Sequence, residues 1–221
     1  LRAHKRDGTQ HHPCRPFAVG QNQDLRGGVG APELDRRHQK RRRRLGAVAL
    51  DYQGDRFTLG LDAIGAVNTL AGLTINGKNT SGSTDSVTVK LFSNDEGTAS
   101  TPSVFTVATL TAGGYENVKL VSEGKANTAN AVTTLTATAQ KTVTIEGDKK
   151  LTVGNALSAT TVAASASTGG VDLTLAGTAV SGGKQTATGG TGNDSFHIAT
   201  GVLTKDIKID GGEGSDTLVF T

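Results

Sequence analysis

Cysteine is nearly missing: the 221-residue chain has one, so no internal disulfide forms and a disulfide-stapled scaffold is excluded. Methionine and tryptophan are absent, and only six Phe and two Tyr supply aromatic rings. No apolar run approaches the roughly 18 residues of a membrane-spanning helix. Glycine is abundant at 30 residues but has no three-residue period, which excludes a collagen-like rod. What remains is small and β-branched, with 32 Thr and 25 Ala in the chain. Val, Leu, Ile and Thr must then build the core. That composition suits a thin, repetitive β body better than a compact enzyme.

The formal charge of +3 conceals two unlike pieces. Residues 1–46 carry 12 Lys plus Arg against 4 Asp plus Glu, a net of +8, whereas residues 47–221 carry 11 against 16, a net of −5. The first piece also holds ten of the eleven Arg, three of the four Pro and one of the 32 Thr. It reads as a disordered or non-native arm, with the composition that GC-rich DNA gives when translated out of frame. Its run from Arg36 to Arg44 would attract phosphate backbones or anionic surfaces. No aromatic residues interleave with the cations, so a specific nucleic-acid site is not expected. His4, His11, His12 and Cys14 superficially suggest zinc, but no second ligand pair at loop spacing accompanies them.

From Phe57 onward, short Thr- and Val-rich alternations recur, among them SVTVKL (86–91), VFTVATL (104–110), NVKLV (117–121), TVTI (142–145) and VDLTL (171–175). Each has strand length and is bounded by Gly, Asn, Ser or Lys. Leu59 to Leu73 is the one helical candidate, with Leu61, Ile64, Val67, Leu70 and Leu73 three residues apart and three interior glycines weakening it. Gly-centred turns near Gly124, Gly147, Gly169, Gly189 and Gly211 follow one another at steps of 23, 22, 20 and 22 residues. A near-constant step marks a repeat, and two strands with two turns fit each step. The five turns are therefore expected to stack along one edge of a parallel solenoid. Residues 57–113 lack the period and read as an antiparallel, sandwich-like layer.

The last two turns fit the nonapeptide G-G-x-G-x-D-x-U-x, with U large and apolar: GGTGNDSFH (189–197) and GGEGSDTLV (211–219). At this composition chance gives roughly 0.03 copies of the G-G-x-G-x-D core. Glycine lets such a turn aim several carbonyl oxygens at one point. Calcium takes about six to eight oxygen ligands, which carbonyls and carboxylates supply. The candidate ligand turns are Gly189, Gly190, Thr191, Gly192, Asn193 and Asp194, and Gly211, Gly212, Glu213, Gly214, Ser215 and Asp216, with Asp194 and Asp216 bringing the negative charge. Phe196 and Leu218 are expected to point inward. One turn offers half a shell, so one Ca2+ site is expected between the two coils. A dinucleotide-binding turn would need Gly where Ser195 and Thr217 stand, and no phosphate-loop Lys follows.

These two nonapeptides resemble RTX repeats, the calcium-binding β-roll sequences of bacterial proteins exported by type I secretion. The Thr-, Ala- and Gly-rich stretch from Gly114 through Gly154 is similar to the solenoids of S-layer and related surface proteins. The resemblance implies an extracellular, calcium-dependent fold that self-associates in a surface lattice, with cell-surface polysaccharide as a further partner. It departs from tandem RTX spacing, because Asp194 and Asp216 are 22 residues apart and the opposite turn near Ala199 to Thr204 lacks the Gly pair and Asp. The expected fold is all-β: a basic arm over 1–46, a β-sandwich-like region over 47–113, a parallel β-solenoid over 114–188 and a calcium-binding β-roll over 189–221.

The leading function is a structural fragment of a secreted, calcium-stabilised surface-layer or adhesin-like protein. The non-catalytic tail of a secreted RTX enzyme or toxin is the alternative, and nucleic-acid binding through the arm is the second. No H-E-x-x-H or G-x-S-x-G motif occurs, so no catalytic residues are assigned.

Overall fold

The computed structural model describes residues 45–52, 56–63, 68–77, 82–95, 97–98, 100–137, 140–177, 183–203 and 205–221. Residues 1–44 of the arm expected over 1–46, and the interior of the candidate helix at residues 64–67, lie outside them, whereas Leu45 and Gly46, expected in the arm, open the first strand. The described residues all belong to one compact unit, Lys40–Thr221. In chain order its first strands are β1 (Leu45–Tyr52), β2 (Arg56–Ala63), β3 (Thr69–Gly77), β4 (Ser86–Ser93) and β5 (Ser103–Gly113). Then come β6 (Asn117–Gly124), β7 (Thr128–Thr136), β8 (Thr142–Gly147), β9 (Lys150–Leu157) and β10 (Thr161–Ser167). The last are β11 (Val171–Leu175), β12 (Gln185–Thr188), β13 (Ser195–Ile198), β14 (Ile207–Asp210) and β15 (Thr217–Phe220). No helix among the described residues is long and apolar enough to cross a membrane.

Period-two alternation decides which way each strand faces. In β4, Val87, Val89 and Leu91 are buried, whereas Lys90 is exposed and Ser86 and Thr88 are half-buried. A strand with one apolar face needs a second layer to cover it, and the chain supplies it by alternating sheets. The odd-numbered strands form an eight-stranded sheet in the order β1-β3-β5-β7-β9-β11-β13-β15. The even-numbered strands form a seven-stranded sheet in the order β14-β12-β10-β8-β6-β4-β2. All the strand pairs are parallel, so each coil is one strand in each sheet with a turn at either edge. This is the parallel two-sheet solenoid expected for the C-terminal half.

Registered stacking turns the alternation into ladders of like side chains. Val107, Val132, Val153, Leu173 and Phe196 follow one another in the odd sheet and all are buried. Val87, Val118, Val143, Val162 and Ala187 do so in the even sheet. Each fully buried Val or Leu contributes about 1.5–3 kcal/mol, which lets a core with few rings hold. Gln185 interrupts the apolar interior with its amide satisfied. Its Nε2 donates to the Leu157 and Ala159 carbonyls at 2.7 and 2.9 Å, and its Oε1 accepts from Gly177 N–H at 3.0 Å.

Two expectations for the N-terminal part change. Residues 57–113 do form two facing layers, but their strands pair parallel rather than antiparallel, with Phe57 beside Val87 and Leu73 beside Leu110. The period is lost there because loops lengthen the coils while the strands stay in register. Paired residues are 30 apart at Arg56↔Ser86, 37 at Thr69↔Thr106, and 22 at Gln185↔Ile207. The candidate helix Leu59–Leu73 is instead the end of β2 and the start of β3. Of its spaced apolar residues, Leu61 belongs to β2 and Leu70 and Leu73 to β3, and its glycines weaken the helical preference that would resist strand pairing.

Candidate functional site: a column of glycine turns

Every passage from an even strand to the next odd strand lies at the same edge of the two sheets. The five Gly-centred turns singled out in the sequence all fall on that edge, and backbone rungs join them. Lys149 N–H donates to Ser122 O at 3.1 Å, Thr168 N–H to Gly147 O at 2.8 Å, Thr191 N–H to Ser167 O at 3.0 Å and Glu213 N–H to Gly190 O at 2.9 Å. Coils stacked this closely leave no room for side chains at the contact points. A Cβ on Gly190 would overlap the Ser167 carbonyl oxygen, and one on Gly189 would overlap Gly211 O and the Asp194 carboxylate. Gly212 and Gly214 have φ of 86° and 114°, a backbone conformation costly for other residues.

Asp194 is the centre of the last two turns. It is 2% exposed, and its carboxylate accepts Val171 N–H at Oδ1 and Gly190 N–H at Oδ2, both at 2.7 Å. Its own N–H donates to Asp216 Oδ1 at 3.0 Å, and its carbonyl accepts Thr217 N–H at 2.8 Å. Val171, Asp194 and Asp216 occupy one position in successive coils, just ahead of the registered pairs Asp172↔Ser195 and Ser195↔Thr217. Each aspartate thus reaches back one coil and caps the N–H stacked beneath it. Burial pushes the Asp194 carboxyl above its ordinary range; the two N–H bonds oppose that shift, and the Asp216 charge adds to it. Among the described residues neither carboxylate has an ion-pair partner.

The other candidate ligands divide by direction. Asn193 Oδ1 reaches forward to Ser215 N–H at 3.0 Å, whereas its backbone carbonyl turns back toward Gly170, away from the gap where a shared ion was expected. Gly190 O and Gly192 O face Gly212 and Gly214 of the next turn, and Gly211 O faces back toward Gly189. Thr191 and Glu213 have exposed side chains and join the stack through their N–H groups. Gly212 N–H donates to Asp210 Oδ1 at 3.2 Å. The space between the two turns is therefore bounded by the carbonyls of Gly190, Gly192 and Gly211 and by the Asp216 carboxylate, while the Asp194 carboxylate reaches back with both oxygens accepting N–H groups. That chemistry fits calcium. Among the described residues no three His, Cys, Asp or Glu side chains gather, so an ion held here would rely on carbonyl oxygens.

The turns without the Gly-x-Gly pattern do something else. Asp148 is exposed and pairs with Lys149 at 2.6 Å, and Asp172 lies on the outer face of β11, not in the gap. Asp172 Oδ1 and Ser195 Oγ lie 3.0 and 3.2 Å from the same His197 nitrogen, Nε2. A nucleophile relay needs serine and carboxylate on opposite ring nitrogens, which this trio does not offer. Phe196 points into the core as expected. Leu218, in register with it on the same face, is 46% exposed because no described strand stacks beyond β15.

Sequence reasoning missed that carboxylate capping recurs at the opposite edge, where no nonapeptide exists. There Gly82 N–H donates to Asp85 Oδ2 at 3.2 Å and Asp85 N–H to Glu116 Oε2 at 2.9 Å, with both acids buried. Nothing in their spacing signals the role. Beside the glycine column, the outer face of the even sheet carries a shallow groove of about 470 Å³ whose lining includes Phe92, Glu123, Asp148 and Thr168. Comparison of the chain with protein-family models, curated proteins and solved structures finds no match.

Proposed function

We propose that this chain is a structural segment of a secreted or cell-surface protein, S-layer or adhesin-like, whose last two coils are clamped by calcium at RTX-type turns. The observation that carries the reading is Asp194: a buried carboxylate with no cationic side chain paired to it among the described residues, one coil from the Asp216 carboxylate and, like the Gly211 carbonyl, close to Gly189. Such a group is costly unless a counter-charge arrives. Asp194, Asp216 and the carbonyls of Gly190, Gly192 and Gly211 would hold the ion, together with Asn193 Oδ1. The ion supplies positive charge and bridges coil to coil; the protein supplies the stacked turns that present the oxygens. A body without cysteine suits an extracellular setting equally well with or without oxidising conditions. For a surface polysaccharide, the groove beside Phe92 offers an apolar ring face flanked by the carboxylates of Glu123 and Asp148, acceptors for sugar hydroxyls. Calorimetric titration of the metal-free chain tests the calcium reading. About one ion per chain, with a dissociation constant of roughly 10⁻⁴ to 10⁻³ M, is the expected result. No heat at millimolar calcium rejects it.

A further inference from the structure

The groove of about 470 Å³ on the outer face of the even sheet is built by four successive coils. Phe92 comes from the end of β4, Glu123 from the end of β6, Asp148 from just past β8, and Ala166 and Thr168 from the end of β10 and just past it. Register sets these side chains in a row along the stack: Phe92 is paired with Glu123, and Ala166 with Glu146, two residues ahead of Asp148. Neighbouring strands lie about 4.8 Å apart, so the row spans roughly 14 Å along the solenoid axis. The floor is backbone by necessity. A Cβ on Gly147 would overlap the Ser122 carbonyl, and one on Gly124 would overlap the Ser93 carbonyl and Thr128 Oγ1, so no side chain fills the space.

The lining sorts by chemistry along that row. Phe92 is half-buried and offers an apolar ring, whereas the exposed Glu123, Asp148 and Thr168 offer oxygen acceptors. No cationic side chain lines the groove, and the Lys149 ammonium, 2.6 Å from Asp148 Oδ2, answers only one of the two carboxylates. An anionic ligand is therefore repelled. A pyranose ring matches the set, because its C–H face stacks on Phe92 and its hydroxyls donate to the carboxylates. In an extended, equatorially linked chain the rise per ring is close to the coil spacing, so successive rings meet successive coils.

We propose that this groove binds an uncharged, extended polysaccharide lying along the solenoid axis, one pyranose ring per coil, with one ring stacked on Phe92. The assignment rests on the surface-polysaccharide reading above and narrows it to one groove and one class of polymer, excluding chains that carry uronate or phosphate. It is separate from the calcium site, since neither Asp194 nor Asp216 lines the groove.

Titration of the full chain, followed by amide shifts in NMR, tests it with neutral cello- and manno-oligosaccharides from dimer to hexamer and with oligogalacturonides of the same lengths. Affinity for a neutral series should climb with each ring to about four and then level off, because four coils line the groove. The galacturonides should not bind. Phe92→Ala should weaken binding about tenfold and Phe92→Trp should restore it, with circular dichroism and the calcium titration unchanged in both. Neutral chains that bind Phe92→Ala as well as the parent would overturn the groove while leaving the polysaccharide reading standing. Tighter binding of galacturonides than of neutral chains would overturn the class, and equal affinity from dimer to hexamer would overturn the alignment along the axis. No binding of any neutral chain would overturn the proposal and the polysaccharide partner with it.

Discussion

Replacing Asp194 by alanine removes one carboxylate from a site that the fold uses even before any ion binds. Two buried N–H groups, Val171 and Gly190, lose their acceptors at 2.7 Å. A buried donor left without a partner costs about 1–3 kcal/mol, which puts the gross loss at roughly 2–6 kcal/mol. Relief of burying the charge beside Asp216 offsets part of it, and water entering the space left by the side chain offsets more. The net expectation in chelator is a loss of about 2–3 kcal/mol, confined to the last three coils. Asp194→Asn keeps one acceptor and should lose about half as much. Urea unfolding gives the magnitude, and amide exchange at Val171 and Gly190 gives the place. Asp194→Ala within 0.5 kcal/mol of the parent, with both amides still protected, would refute the capping geometry.

Asp216→Ala should abolish calcium binding as Asp194→Ala does, whereas Asp148→Ala and Asp172→Ala should leave the titration unchanged; equal losses in all four would refute the division of the column. For pH, a carboxyl raised on folding stabilises the fold fully only below its unfolded value, and that contribution is lost as pH rises through the folded value. In chelator the last coils should therefore gain protection as pH falls from neutral into the acid range, followed by exchange at Thr217 and Val219. In calcium the same acidification should weaken them, because protons and the ion compete for Asp194. The same direction in both buffers would contradict the shared site.

The column was legible because Gly147, Gly170, Gly190 and Gly212 sit at turns whose coils are short and nearly constant in length, so the sequence step equals the structural step. Between β3 and β5 the register offset grows to 37 residues, and the sequence step no longer measures the coil. Parallel pairing there is set by the core ladders of Leu73 and Leu110, which a local pattern of apolar alternation cannot distinguish from antiparallel hairpins. Asp194 and Asp216 were legible as residues but not as caps, since which N–H a carboxylate meets depends on the coil stacked beneath it. Leu218 shows the reverse case: its inward direction follows from alternation, but its burial depends on a neighbouring strand.

Hydrogen exchange with and without calcium tests the clamp most directly. The strands β13, β14 and β15 are four residues long, and β14 and β15 bury little. Binding to the ordered form alone stabilises it by about 2.7 kcal/mol at a hundred times the dissociation constant, which slows exchange about a hundredfold. Residues 188–221 should be protected at millimolar calcium and exchange freely in chelator, while residues 115–175, held by the Val118–Val143–Val162 ladder, stay protected in both. Equal protection of the last coils in the two buffers would contradict the account.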